Sequence, residues 1–350
     1  NMKQREVFPD ILRAAATCAV VLLHTVTGVM DHTDMLEYPV QSRIFQALLD
    51  LSCWCVPVFV MISGYFFLDP KRELTFRLML TKYCRRIALA LLLFGVPFAW
   101  LELIMRERTF RIGMIGEGFL MVLRGQTWSH MWYLYLILFL YLLTPVLRWL
   151  LSRLAKPVIW GILAVLFLGS SVQPYLMKLL SLELPTIIPD WGIYFFYYVC
   201  GYLFAVKDRE RHESSQKTGK ICMLLFFLLL AGMTASRFVG DYTLQLAYNY
   251  PFTAVAALLL FGWAAEDFGK RVFVSGEDGG IFWQRISGLC FGIYLIHPVF
   301  LNLLYKFLHV TPLSVGAGLS LPLFFLGILL PAALGAWVMK KIPVLDRYVL

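Results

Sequence analysis

Ten stretches of the chain are long and apolar enough to cross a lipid bilayer, and no other feature restricts its fold as strongly. They lie at about 11–30, 44–68, 86–105, 131–150, 157–177, 191–206, 221–236, 249–265, 286–307 and 315–339. In hydrocarbon every backbone N–H and C=O must find a partner within the protein, which leaves helices or a closed barrel. A helix needs about 20 apolar residues to span, whereas barrel strands are about half as long and alternate polar with apolar positions. These runs do not alternate. The expectation is therefore all-α: a polytopic transmembrane helical bundle of about ten spans, forming one integral-membrane domain over residues 1–350. The sixth, seventh and eighth runs are short, so their ends are the least defined. Composition agrees, with 60% of the residues hydrophobic and only 15% charged, against about a quarter charged in soluble domains.

Charge sets the expected orientation. If the N-terminus is cytoplasmic, the basic segments Lys3–Arg13, Lys71–Arg86, Arg148–Lys156, Lys207–Lys220, Lys270–Arg285 and Lys340–Arg347 all fall inside. They hold most of the 31 basic residues, as the positive-inside rule requires, so both termini read as cytoplasmic. The stretch 106–130 is the exception, with Arg106, Arg108, Arg111 and Arg124 on the outside. The outer loop 31–43 is acidic, and 207–220 (KDRERHESSQKTGK) reads as a solvated cytoplasmic linker. A net charge of +9 thus reads as membrane topology rather than a nucleic-acid footprint, and no zinc-finger, RNP or basic-helix pattern accompanies it. The seven cysteines form neither a metal framework nor a disulfide scaffold and read as small packing residues. The first run contains Arg13 and His24 and has no small-residue cleavage site behind it, so it reads as a retained span rather than a signal peptide.

Ionisable groups inside spans are costly, and each is a functional candidate. In the first span Arg13 and His24 are eleven positions apart. At about 100° per residue this is roughly 20° from perfect alignment, and Asp10 falls roughly 40° off on the other side. Asp10, Arg13 and His24 therefore share one stripe, with His24 about 16 Å along the axis from Arg13. Histidine exchanges a proton near neutral pH, and a histidine merely satisfied within the core is the competing reading. In the second span, Ser63-Gly64-Tyr65 combines a hydroxyl with a glycine that permits close helix approach; a packing seam competes with any catalytic role. Lys82, Arg85 and Arg86 cluster at the cytoplasmic entrance of the third span, where arginine suits phosphate and equally suits anchoring. His130-Met-Trp132-Tyr133 opens the fourth span from outside, either as belt residues or as a cavity lining. Trp128, Trp132 and Trp191 are stacking platforms for sugars or interface anchors. In the ninth, Tyr294 and His297 share a face at i,i+3, and Pro298 loosens the helix just after them.

Taken in order and depth, these features resemble the acyltransferase-3 family of bacterial membrane O-acyltransferases. The likeness runs along the whole chain. It rests on Arg13-x10-His24, the Phe59–Phe66 segment with Ile62-Ser63-Gly64-Tyr65, the basic cluster before span three, Trp132-Tyr133-Leu134, and Ser287 through Tyr294-Leu-Ile-His297. The resemblance implies a multi-pass protein of the bacterial cytoplasmic (inner) membrane, among membrane lipids. It implies transfer of an acyl group, usually acetyl, from cytoplasmic acetyl-CoA or another acyl-CoA, without a metal. The acceptor would be a hydroxyl of a cell-envelope glycan or lipid-linked sugar outside. His24 is similar to the family's catalytic histidine and Arg13 to its essential partner, with Asp10 orienting Arg13. Lys82, Arg85 and Arg86 would hold the polyanionic head of the donor, and Ser63, Tyr294 and His297 are assigned to the same donor site. His130, Trp132 and Tyr133 are assigned to the acceptor. Many family members carry an extra periplasmic hydrolase-like domain or span that is not visible here. The competing expectation is a proton-coupled transporter or flippase of a small envelope metabolite, using Asp10, Arg13, His24 and His297 as its path. A sensory or scaffold membrane domain is the third.

Overall fold

The computed structural model describes residues 6–210, 216–239, 247–268, 278–316 and 319–350, and every regular element among them is helical. Helix α1 is Phe8–His32, α2 Pro39–Ser52, α3 Cys55–Phe67, and α4 the continuous stretch Phe76–Glu107. Then come α5 (Gly113–Leu123), α6 (Trp132–Leu151), α7 (Lys156–Leu179), α8 (Gly192–Glu210) and α9 (Gln216–Val239). The chain ends with α10 (Pro251–Phe268), α11 (Asp278–Asn302), α12 (Leu321–Lys341) and the short α13 (Pro343–Tyr348). Among the described residues, eight helical stretches are long and apolar enough to cross a membrane. The runs expected at 191–206 and 249–265 are helices too, α8 and α10, although they are not among those eight.

Several boundaries differ from those read in the sequence. The second run is two helices, α2 and α3, because the backbone turns at Cys53 and Trp54. The third begins ten residues early, at Phe76, capped by the Thr75 hydroxyl accepting from the Leu78 amide at 3.1 Å. Thus Lys82, Arg85 and Arg86 are inside a helix rather than before one. The stretch 106–130 contains α5, whose Gly118 lies so close to the Trp100 ring that a Cβ would strike it. Its Ile115, Phe119, Leu120 and Leu123 are exposed, as on a short helix lying at a bilayer interface. Arg111, one of the four arginines at odds with the charge pattern, is clasped by Glu117 at 2.7 Å and Glu107 at 3.1 Å. These carboxylates, Glu107 foremost, hold its guanidinium above the ordinary arginine range. The supposed linker 207–220 is mostly helix end and helix start; Lys207 pairs with Glu266 at 3.0 Å. Residues 211–215 of that linker lie outside the described residues, as do Lys3, Arg5, Lys270 and Arg271 of the charge pattern.

The chain forms two compact units, one of Asn1–Asp69 with Leu154–Leu334, the other of Pro70–Arg153 with Gly335–Leu350. In the first, α3 and α8 cross with their backbones nearly touching. A Cβ on Gly64 would collide with the Tyr198 carbonyl, and one on Gly201 with the Met61 carbonyl. Glycine is what lets membrane helices approach so closely. Helices α1 and α11 run parallel along a seam of seven-residue repeat. Thr17 meets Cys290, His24 meets His297 and Gly28 faces Leu301. Alternating steps of four and three residues keep one face of each helix on its neighbour, as in a coiled coil. Buried Val21 and Tyr294 occupy the intervening positions. Helices α2 and α9 are joined by an ion pair of Asp50 and Arg237, described below.

In the second unit, α4 carries two wide π-type turns, Met79–Cys84 and Leu91–Gly95. Such turns shift the face that a helix presents and recur at functional positions. Arg85 and Arg86 follow directly on the first. The second brings Gly95 against Val122, Thr127 and Met131.

Candidate functional site

On α1 the expected stripe is present. Asp10 is buried, with its Oδ1 3.4 Å from Arg13 Nη1, and the Arg13 and Asp10 side chains are 31% and 4% exposed respectively. The Arg13 guanidinium lies 5.2 Å from the centre of the Phe66 ring, a cation–π contact with the last turn of α3. The segment Ser63-Gly64-Tyr65 thus borders this end of the stripe. Tyr65 donates its hydroxyl hydrogen to Glu6 Oε2 at 2.6 Å and meets Phe8 edge-on. Ser63 turns back on its own helix instead of reaching across, donating to the Phe59 carbonyl at 3.1 Å.

Farther along α1, His24 Nδ1 is 3.0 Å from His297 Nε2, with the ring centroids 5.0 Å apart. His24 is half-buried, whereas His297 is completely enclosed. His297 Nδ1 is 2.8 Å from the Tyr294 carbonyl and 3.1 Å from that of Ile293. A carbonyl only accepts, so Nδ1 of His297 carries a hydrogen. Pro298 is responsible for part of this arrangement: having no N–H, it leaves the Tyr294 carbonyl without its usual i+4 helical donor. The histidine one residue earlier folds back to fill that place. Tyr294 therefore contributes to the site through its backbone as well as its ring, whose centroid is 6.3 Å from that of His297.

The chain matches the family model described as an acyltransferase domain over residues 6–341, nearly its whole length. The chain belongs to the acyltransferase-3 family. It is an acyltransferase, one whose acyl group is not an aminoacyl group, and a multi-pass membrane protein. No curated protein and no solved structure matches the chain.

Trp191 lies in the first unit, just before α8, and the other residues singled out in this acyltransferase lie in the second. Arg86 Nε donates to the Val349 carbonyl at 2.8 Å, and the Arg85 guanidinium lies over the Tyr348 ring at 5.3 Å. Both arginines thus touch the C-terminal turn at the end of α13. Lys82 is exposed, with its ammonium 5.5 Å from the Tyr83 ring centre. His130 is buried beside a stacked pair, Phe98 and Trp128, whose ring centres lie 4.2 Å apart with the planes nearly parallel. Trp132 and Tyr133 are partly exposed and meet edge to face.

Two buried charged residues are absent from the candidates that the sequence suggests. Asp50, on α2, and Arg237, in the last turn of α9, form a bidentate pair, Nε to Oδ2 at 2.5 Å and Nη2 to Oδ1 at 2.8 Å. The Arg237 and Asp50 side chains are 4% and 2% exposed. Asp50 lies inside the second expected span and Arg237 one residue beyond the end of the seventh. The available signal was an acid in the middle of an apolar run.

Proposed function

We propose that this acyltransferase moves an acyl group, acetyl in the simplest case, from cytoplasmic acyl-CoA to a hydroxyl of a cell-envelope glycan or lipid-linked sugar. The observation that carries this reading is the His24–His297 contact on the helix that also bears the Arg13–Asp10 pair. A half-buried histidine linked to a fully enclosed one suits a general base. The guanidinium about three helical turns away suits a substrate's anionic or carbonyl oxygens.

His24 takes the proton of the acceptor hydroxyl as its oxygen attacks the thioester carbonyl. The tetrahedral intermediate collapses, the carbon–sulfur bond breaks, and the departing thiolate recovers the proton from His24. The products are an ester and free CoA. Arg13, oriented by Asp10, positions the donor. Lys82, Arg85 and Arg86 suit the phosphates of its head, Ser63 and Tyr294 its thin arm, and His130, Trp132 and Tyr133 the acceptor. In this reading the membrane is the bacterial inner membrane, crossed about ten times, with both termini cytoplasmic.

The test is incorporation of label from [14C]acetyl-CoA into the envelope fraction of membranes carrying the protein. His24→Ala should abolish incorporation while the purified protein remains monodisperse; undiminished transfer overturns the assignment. Acetyl-CoA binding that is unaffected by replacing both Arg85 and Arg86 with Ala would remove the phosphate site.

A further inference from the structure

The backbone around His297 leaves little choice in where the hydrogens of the two histidines go. His297 Nδ1 faces the carbonyls of Tyr294 and Ile293, so it is a donor. In a neutral ring, Nε2 is then the acceptor. Its neighbour at 3.0 Å is His24 Nδ1, which must supply the hydrogen. The hydrogen of a neutral His24 is thus on Nδ1, and the lone pair of that ring is on Nε2.

We propose that His297 is a positioning residue. It holds the His24 hydrogen on Nδ1 and the ring in one orientation, so that Nε2 of His24 is the atom that takes the acceptor proton. This deepens the proposed function and rests on His24 being the base. When Nε2 gains its proton, both nitrogens of His24 become donors. The Nδ1–H bond to His297 then becomes charge-assisted and stronger, so the partner favours the state that forms as the hydroxyl is attacked. The same logic fixes the imidazole of a catalytic triad through its second nitrogen. Here a neutral histidine stands where a carboxylate would, and it is sealed from solvent while His24 is not. His297 accordingly acts through His24 and need not meet the acyl donor.

Two substitutions separate positioning from packing. His297→Phe keeps an aromatic ring in the seam and removes the acceptor nitrogen. His297→Gln loses the ring and keeps an amide oxygen near the place of Nε2. Positioning predicts that kcat with [14C]acetyl-CoA falls about 100-fold or more in His297→Phe, with KM for acetyl-CoA unchanged, and that His297→Gln recovers most of the rate. A purely structural role predicts the opposite order, with Phe the better replacement, and that result overturns the inference. The unmutated protein supplies a second readout. In 15N spectra of histidine-labelled protein, with the His24 signals identified by their loss in His24→Ala, Nδ1 should be the protonated nitrogen. A proton on Nε2 instead refutes the proposal, whatever the variants do. If His24→Ala retains full transfer, the proposed function itself fails. If His24→Ala is inactive while His297→Phe is fully active, only the positioning role fails.

Discussion

Replacing Asp50 with Ala would leave the Arg237 guanidinium enclosed between α2 and α9 with its carboxylate partner gone. The pair comprises two charge-assisted hydrogen bonds, with both side chains at most 4% exposed. Hydrogen bonds to charged groups contribute about 1.5–3 kcal/mol each, and breaking a buried pair on one side costs about 3–5 kcal/mol. Against a total stability of about 5–15 kcal/mol, Asp50→Ala should remove about a fifth or more. Arg237→Met should cost less, since an isolated carboxylate can take up a proton and an arginine cannot lose one. The double variant Asp50→Leu with Arg237→Met should regain most of the loss, because a buried pair replaced by apolar groups of similar volume is often neutral. Unfolding in mixed micelles titrated with SDS, followed by circular dichroism, measures all three. The reasoning is refuted if Asp50→Ala lies within about 1 kcal/mol of the parent, a threshold well below the expected range. It also fails if the double variant is no better than the single.

Two further perturbations test the packing of the same unit. Gly64→Ala and Gly201→Ala each push the α3–α8 crossing apart, since each Cβ would strike backbone rather than a flexible side chain. Each should cost about 1–3 kcal/mol in the same unfolding assay. Together they should cost less than their sum, because one separation makes room for both. Tyr65→Phe removes the hydroxyl that donates to Glu6 at 2.6 Å and should lower stability by about 1 kcal/mol, since the half-buried carboxyl can turn to water. A change of more than about 3 kcal/mol would mean that Tyr65 has a role beyond this bond.

Much of this molecule is legible in the order of its amino acids. Apolar run length predicts the helices, because only satisfied backbone survives in hydrocarbon. Helical periodicity puts Asp10, Arg13 and His24 on one stripe, and Tyr294 with His297 on another. What periodicity cannot supply is which stripe meets which. His24 and His297 are 273 positions apart, and their contact follows from α1 lying beside α11, a matter of tertiary packing. The spacing does carry a trace of it: positions 17, 21, 24 and 28 step as 290, 294, 297 and 301 do, but many other helix faces share that rhythm. Asp50 and Arg237 illustrate a different limit. Each looks like an isolated expensive charge, and each becomes intelligible only beside the other. Helix α5 is hidden for another reason. Its 11 residues are too few to read as a span, and the four arginines in and around it draw attention to charge rather than to its apolar face.

The seam offers a way to perturb the histidine pair without touching either ring. Gly28 is one turn beyond His24 on α1. A Cβ there would lie 2.6 and 2.7 Å from two ring carbons of Tyr305 and 3.2 Å from Leu301. Tyr305 cannot simply swing aside, since it is buried and its hydroxyl donates to the Thr25 carbonyl at 3.1 Å. Gly28→Ala must therefore move α1 and α11 apart by several tenths of an ångström at a point one turn from the 3.0 Å contact between the rings. Proton transfer depends steeply on such placement; a displacement of about 1 Å in an active site can cost about 100-fold. Gly28→Ala should lower kcat for acetyl transfer about tenfold, a fraction of that limit, with KM for acetyl-CoA unchanged. If steric separation is the cause, Tyr305→Ala in the same chain makes room for the methyl group and restores part of the rate. An unaffected rate in Gly28→Ala would show that the seam tolerates the methyl group without disturbing the dyad. A loss that Tyr305→Ala leaves untouched would mean that Leu301 or the backbone, rather than the tyrosine ring, resists the added group.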